Sequence, residues 1–201
     1  RSNIYAVEAC LKSNGFSQIS LHHFTDDDEN IKSKLPNILE SHDVIILSGG
    51  VSMGKFDLIP SSLTACGVEE KFHMIKQKPG KPFWYGTNDK KFVYALPGNP
   101  VSTLLCLVRY VIPHLLKGSG MSVIQKYAIL EKEMSFKKPI TFFNPVFIGQ
   151  NSSAQLTAMP IEGNGSGDFA LLQATDGFVE FGEFHSHYTI GSIVPFYSWK
   201  Y

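Results

Sequence analysis

Apolar and polar positions along the chain fall into two regimes that change over near residue 120. In the first, helical spacing alternates with short apolar runs. Ile4, Val7, Cys10 and Leu11 share one helical face after a capping Ser2 or Asn3, and Gly15 ends the pattern. Residues 19–24 read as a strand. Ile31, Leu35, Ile38 and Leu39 are in phase behind Asp26, Asp27 and Asp28. Acids at a helix start oppose the positive end of its dipole, a simpler reading of that cluster than a metal site. Pro36 should kink or split this helix. Residues 43–47 form a short apolar run of the kind buried on both faces of a parallel sheet, followed by a helix at 58–66. Strands at 72–77, 82–85 and 92–96 and a long helix at 100–116 complete this half. Strands alternating with helices predict a doubly wound α/β sheet.

Beyond Gly118-Ser119-Gly120 the pattern changes. Strands are expected at 127–133, 141–148, 154–159, 177–180 and 193–197, with turn residues between them and no helix of comparable strength. The pattern predicts an α/β domain over 1–119 and a small all-β domain over 120–201, its strand pattern running from roughly Ser122 to the end. Low-complexity stretches and solenoid repeats are absent from the sequence.

Charge narrows the partners. Eighteen basic and eighteen acidic side chains cancel, so there is no concentrated surplus of Lys and Arg for nucleic acid or an anionic membrane surface. Cys10, Cys66 and Cys106 are few, odd in number and without CxxC spacing, which predicts buried thiols in a reducing, cytoplasmic setting. Neither a run of membrane-spanning length nor a signal peptide is expected. The chain opens on Arg1, not Met, which suggests a piece of something longer.

Three loops carry candidate chemistry, because ligands of open parallel sheets bind beyond the carboxyl ends of the strands. The first is Ser48-Gly49-Gly50-Val51-Ser52-Met53-Gly54-Lys55-Phe56-Asp57. Its glycines allow close backbone approach, Ser48 and Ser52 can donate to oxyanions, and Asp57 is either a ligand carboxylate or a helix cap. The second, Lys78-Pro79-Gly80-Lys81-Pro82, is a stiff turn with two ammonium groups, suited to an anion or to a solvated surface. In the third, Leu96-Pro97-Gly98-Asn99-Pro100-Val101-Ser102, a strand ends, Asn99 caps a helix and Pro100 takes its first position. The amino end of such a helix attracts anions. Together the loops point to a pocket for a phosphate-bearing small molecule. His185 and His187 alternate as a metal pair would, but lack a nearby third ligand and read as surface histidines. Phe196, Tyr197, Trp199 and Tyr201 read as packing of the β domain.

In this order, the segments resemble the SGGVSxGxxD, KPGKP and LPGNPVS motifs of the MoeA and gephyrin E-domain family. The Ser2-Asn3 helix start resembles the same family, as do Gly165-Ser166-Gly167-Asp168 and Ala174-Thr175-Asp176-Gly177-Phe178. The likeness spans nearly the whole chain. MogA-type adenylyltransferases share the α/β domain and the SGG loop, but the other two loops and the β tail favour MoeA. Where the family has an acid before its Ser/Thr-Asn pair, this chain has Arg1.

The resemblance implies a three-layer sandwich with a mostly parallel sheet, followed by a small β-barrel-like domain. It implies that the family's two N-terminal domains lie outside this chain. The implied reaction is the last step of molybdenum cofactor assembly: adenylylated molybdopterin and molybdate react, molybdenum joins the dithiolene and AMP leaves, assisted by a divalent cation such as Mg2+. Asp57, Ser52, Lys78 and Lys81 would then act at the reacting groups, with Asp57 also the metal ligand. Ser48, Gly49, Gly50, Gly54, Gly80, Pro97, Gly98, Asn99 and Ser102 would hold the pterin nucleotide. A homodimer in the full-length protein and a MogA-type adenylyltransferase partner are implied as well. Two other readings remain: a nucleotide-handling domain of the adenylyltransferase or CinA kind, and a non-catalytic scaffold module.

Overall fold

A computed structural model describes residues 2–24, 28–49, 58–88, 90–161 and 169–199. The chain divides into two compact units, one of residues 1–75 and 80–106, the other of 76–79 and 107–201. This division falls after Cys106, inside a helical run, whereas the sequence pattern places the domain boundary at 119–120.

The first unit contains α1 (Ser2–Ser13), α2 (Asp28–Ser41), β1 (Val44–Ser48), α3 (Leu58–Ala65) and β2 (Glu69–His73). Its remaining elements are β4 (Trp84–Asn88), β5 (Lys91–Leu96) and α4 (Pro100–Cys106), while β3 (Gln77–Lys78) belongs to the second unit. The sheet runs β1-β5-β4-β2. Ile45, Val93, Ala95 and Trp84 on one face of it pack with Ile31, Leu35 and Leu39 of α2 and Ile59 and Leu63 of α3. Ile31, Leu35 and Leu39 are in-phase positions of the sequence, and full burial of each contributes about 1.5–3 kcal/mol. Helix α2 continues through Pro36 without being split.

Only β1 and β5 are parallel; β5–β4 and β4–β2 are antiparallel. The expected mostly parallel sheet is therefore corrected among the described residues. Asn88 pairs with Lys91, and two residues between strands are too few for the crossover that a parallel pair needs. Residues 19–24 carry no strand. The strand expected at 72–77 breaks at Met74, which has φ +65°, so that β2 and β3 lie in different sheets.

In the second unit, residues Leu107–Val111 form a π-helical segment that leads into α5 (Ile112–Gly118). Pro113 lacks the N–H that a regular turn would bond to residue 109, and the wider turn precedes it. Together Pro100–Gly118 make a 19-residue helix long and apolar enough to cross a membrane by length and composition, which corrects the expectation that no such run exists. Val101, Leu105, Cys106, Leu107 and Val111 along it are buried.

The other elements of this unit are β6 (Lys126–Leu130), β7 (Met134–Ser135), β8 (Thr141–Gln150), β9 (Leu156–Pro160), α6 (Phe169–Ala174), β10 (Gly177–Phe181), β11 (His187–Tyr188) and β12 (Ile193–Ser198). Strands β10-β12-β6-β9-β8 close into a five-stranded barrel through β8–β10, and β3 pairs with β8 from outside. Closure leaves no free edge around the ring. The alternate residues Ala128 and Leu130, Val179 and Phe181, and Val194 and Phe196 fill its core.

Candidate functional site

Strands β1 and β5 end together, with Ser48 opposite Leu96. Strand β4 runs the other way and begins there, with Trp84 opposite Ala95. Ser48-Gly49 and Pro97-Gly98-Asn99 of the first unit therefore meet at one end of the sheet, the end at which Lys81-Pro82-Phe83 leads into β4. The second loop was expected at the carboxyl end of a strand. It instead enters the amino end of an antiparallel one, which opens on the same edge.

The first and third loops touch. Gly49 N–H donates to Leu96 O at 3.1 Å, extending the ladder, and Gly49 sits at φ +95°, where glycine is unstrained. A Cβ built on Gly98 would stand 3.5 Å from Gly49 Cα, so the two turns are already in van der Waals range. Ser48, Lys81 and Gly98 are exposed, and Pro97 is buried beneath them. Among the described residues, Lys81 makes neither an ion pair nor a side-chain hydrogen bond.

Asn99 opens the helix as its pattern required. Its Oδ1 accepts from Ser102 N–H at 3.2 Å, and its carbonyl accepts from Thr103 N–H at 2.8 Å. The Ser102 hydroxyl lies 3.4 Å from the same Oδ1, and Ser102 is 4% exposed. In this arrangement Ser102 shapes the cap behind the edge. Thr103, 2% exposed, donates its hydroxyl to Pro97 O at 2.5 Å, with Asn99 O at 3.0 Å as the alternative acceptor.

Asn3 completes the arrangement from α1. Its Nδ2 lies 2.8 Å from Ser48 Oγ, 2.9 Å from Gly98 O and 3.1 Å from Thr103 Oγ1. The sequence marked Asn3 only as a helix start and did not mark Thr103 at all. The usable signal was the residue type, since an amide at a helix start carries two donors that a cap does not consume.

The second loop spans both units. Gly80, at φ +92°, accepts a thiol hydrogen bond from Cys106 at 3.8 Å within the first unit. Lys78 is exposed and ends β3 in the second, where Gln77 Nε2 donates to Pro79 O at 2.9 Å and Tyr110 donates its hydroxyl to Gln77 Oε1. Gly50, Ser52, Gly54 and Asp57 lie outside the described residues, as do Gly165 to Asp168. Asp176 serves the barrel, its carboxylate accepting Ile148 N–H at 2.9 Å.

Among the described residues, no group of three or more His, Cys, Asp or Glu side chains is placed to hold a metal ion. His187 Nδ1 faces Ser135 Oγ at 3.0 Å and Glu133 at 3.8 Å, a surface arrangement rather than a ligand set. Cys10, Cys66 and Cys106 form no disulfide. A charge cluster lies in the second unit. Arg109 contacts Glu180 at 2.7 and 3.4 Å, Tyr197 donates to Glu180 at 2.7 Å, and the guanidinium lies 4.9 Å from the Tyr197 ring centroid. Burial and then the Glu180 bond push the Tyr197 phenol up. Burial alone would lower Arg109, but Glu180 outweighs it and the net direction is upward.

Paired glycine turns beside a capped helix start close one end of the sheet of a mixed α/β protein, and comparison places the chain in a family. It belongs to the family described as probable molybdopterin binding domain, whose model matches residues 2–117, and is a member of the MoeA and gephyrin group. A molybdopterin molybdenumtransferase of Synechocystis sp. is 37% identical over 99% of this chain and 49% of its own length. Gephyrin of Dictyostelium discoideum is 37% identical over 47% of this chain and 15% of its own. The solved molybdopterin biosynthesis moeA protein of Pyrococcus horikoshii OT3 shares the fold, with a TM-score of 0.73 and 23% identity over 98% of this chain and 45% of that one. The chain thus spans about half the length of these full-span relatives.

Proposed function

We propose that the chain binds the phosphate-bearing end of a pterin nucleotide at the β1/β5 edge and serves molybdenum cofactor assembly as part of a molybdopterin molybdenumtransferase. The observation that carries this is the contact of the Gly49 and Gly98 turns under an exposed Ser48 and beside the Asn99-capped helix. Such an edge offers hydroxyl, backbone N–H and ammonium donors and no carboxylate among its described residues, which suits a pyrophosphate or a tetrahedral dianion.

In the proposed reaction, adenylylated molybdopterin and molybdate are the substrates and AMP is the released product. Ser48, Gly49, Gly80, Lys81, Pro97, Gly98, Asn99 and Ser102 would shape and neutralise the phosphate side, joined by Gly50, Ser52, Gly54 and Lys78. Fixed donors of this kind stabilise charge that develops as the anhydride linkage opens. Asp57 would orient the pterin or hold Mg2+, the group that supplies further neutralisation of the phosphates when bound. The proposal includes a three-layer sandwich for 1–119, a β domain for 120–201, a cytoplasmic setting, and a homodimer with a MogA-type partner in the full-length protein.

Calorimetric titration with adenylylated molybdopterin, followed by AMP measurement after molybdate is added, tests it. One saturable site per chain and molybdate-dependent AMP release support the reading. Absence of binding overturns it.

A further inference from the structure

We propose that Asn3 is a positioning residue that turns the Ser48 hydroxyl into a dedicated donor for the bound ligand, an inference that rests on the reading of the edge as an oxyanion site. The geometry leaves the Asn3 amide one useful orientation. Gly98 O, at 2.9 Å, can only accept. Thr103 Oγ1, at 3.1 Å, has its proton committed to Pro97 O at 2.5 Å or Asn99 O at 3.0 Å, so it too accepts from Asn3. The amide must therefore present its NH2 group and not its oxygen.

Ser48 Oγ is the third and nearest neighbour of that nitrogen, at 2.8 Å, and it accepts as well. A serine hydroxyl has one proton, and here none of it is used by Asn3. Among the described residues, the Ser48 side chain makes no other hydrogen bond. Its proton is the one offered to a group arriving at the exposed edge. The same constraint sets a preference: a ligand offering lone pairs, such as phosphoryl oxygen or a tetrahedral oxyanion, takes the Ser48 proton, whereas a ligand donor competes with Asn3, which already holds one of the two hydroxyl lone pairs. Asn3 touches no ligand in this account. It acts through Ser48.

The test is a double-mutant cycle on the whole chain, read by calorimetry with molybdate as the probe. Asn3→Asp is nearly isosteric but reverses the polarity, since its carboxylate takes the Ser48 proton. A hydrogen bond to a charged group corresponds to about 10- to 100-fold in affinity, so Asn3→Asp should weaken binding by that factor. In a Ser48→Ala background the same change should cost severalfold less, because only charge repulsion remains. With sulfate as a non-titrating probe, Asn3→Asp should regain affinity relative to wild type as the pH falls toward its carboxyl range near about 4, where it can donate again. Asn3→Ala, which has nothing to protonate, should not. Should Asn3→Asp fail to fold, Asn3→Ala and Ser48→Ala complete the cycle. Equal losses in both backgrounds, with tight wild-type binding, overturn the inference alone. A wild-type chain that binds neither anion overturns the edge reading and the inference together.

Discussion

Gly98 and Gly49 lie so close that a Cβ on the first would rest 3.5 Å from the Cα of the second. That is ordinary van der Waals contact, and Gly98 is not held at positive φ, so Gly98→Ala should leave stability within about 1 kcal/mol of wild type. The added methyl would occupy the surface where a ligand must approach both turns. Thermal denaturation should be almost unchanged while affinity for the pterin nucleotide falls at least tenfold. A large fall in melting temperature with unchanged affinity would contradict this assignment.

Thr103 holds the Pro97 and Asn99 carbonyls from within the helix. Thr103→Val keeps the shape and removes the hydroxyl that donates to the buried Pro97 carbonyl. The expected loss is about 1–3 kcal/mol in denaturant unfolding. Thr103→Ser retains the hydroxyl and should recover most of it.

Lys81 is exposed at the edge, and Lys78 is exposed at the end of β3. If both neutralise phosphate, Lys81→Ala and Lys78→Ala should each weaken pterin nucleotide binding about tenfold and flatten its salt dependence. Titration at two ionic strengths separates this outcome from a loss that is insensitive to salt, which would point to packing.

Arg109, Glu180 and Tyr197 form the polar clamp of the second unit. Arg109→Met should destabilise the chain by about 2 kcal/mol, because it leaves a half-buried carboxylate with one partner fewer. Glu180→Gln should cost less, since the amide oxygen still accepts from Tyr197. Both are measurable by urea unfolding.

Tyr197 and Tyr94 have phenols pushed up in the folded chain, chiefly by burial. Above the ordinary tyrosine value of about 10, the unfolded state releases these protons first. It then binds fewer protons than the folded state, and stability falls as the pH rises. The contribution is fully present below pH 10 and is lost as the pH climbs toward the folded values. Tyr197→Phe should make the alkaline slope shallower, by up to about 1.4 kcal/mol per pH unit. An unchanged slope between pH 10 and 11 would exclude Tyr197.

Much of this was legible in the sequence because local rules dictated it. Segments between turn residues marked all five barrel strands, and Asn99-Pro100 marked a helix start. Strand direction was less accessible, since an alternating pattern implies parallel neighbours until the two-residue link from Asn88 to Lys91 is recognised as a hairpin. The π-helical segment ahead of Pro113 was missed because its composition matches a regular buried helix. Asn3 escaped for a different reason. Its partners are 45, 95 and 100 residues away, and contacts of that range leave no periodic trace.

The most direct measurement is a crystal of the chain grown with molybdate and its anomalous scattering map. A molybdenum peak within hydrogen-bonding reach of Ser48 and the Gly98-Asn99 turn is the predicted result. At saturating molybdate, an edge without a peak, or peaks elsewhere only, would contradict the account.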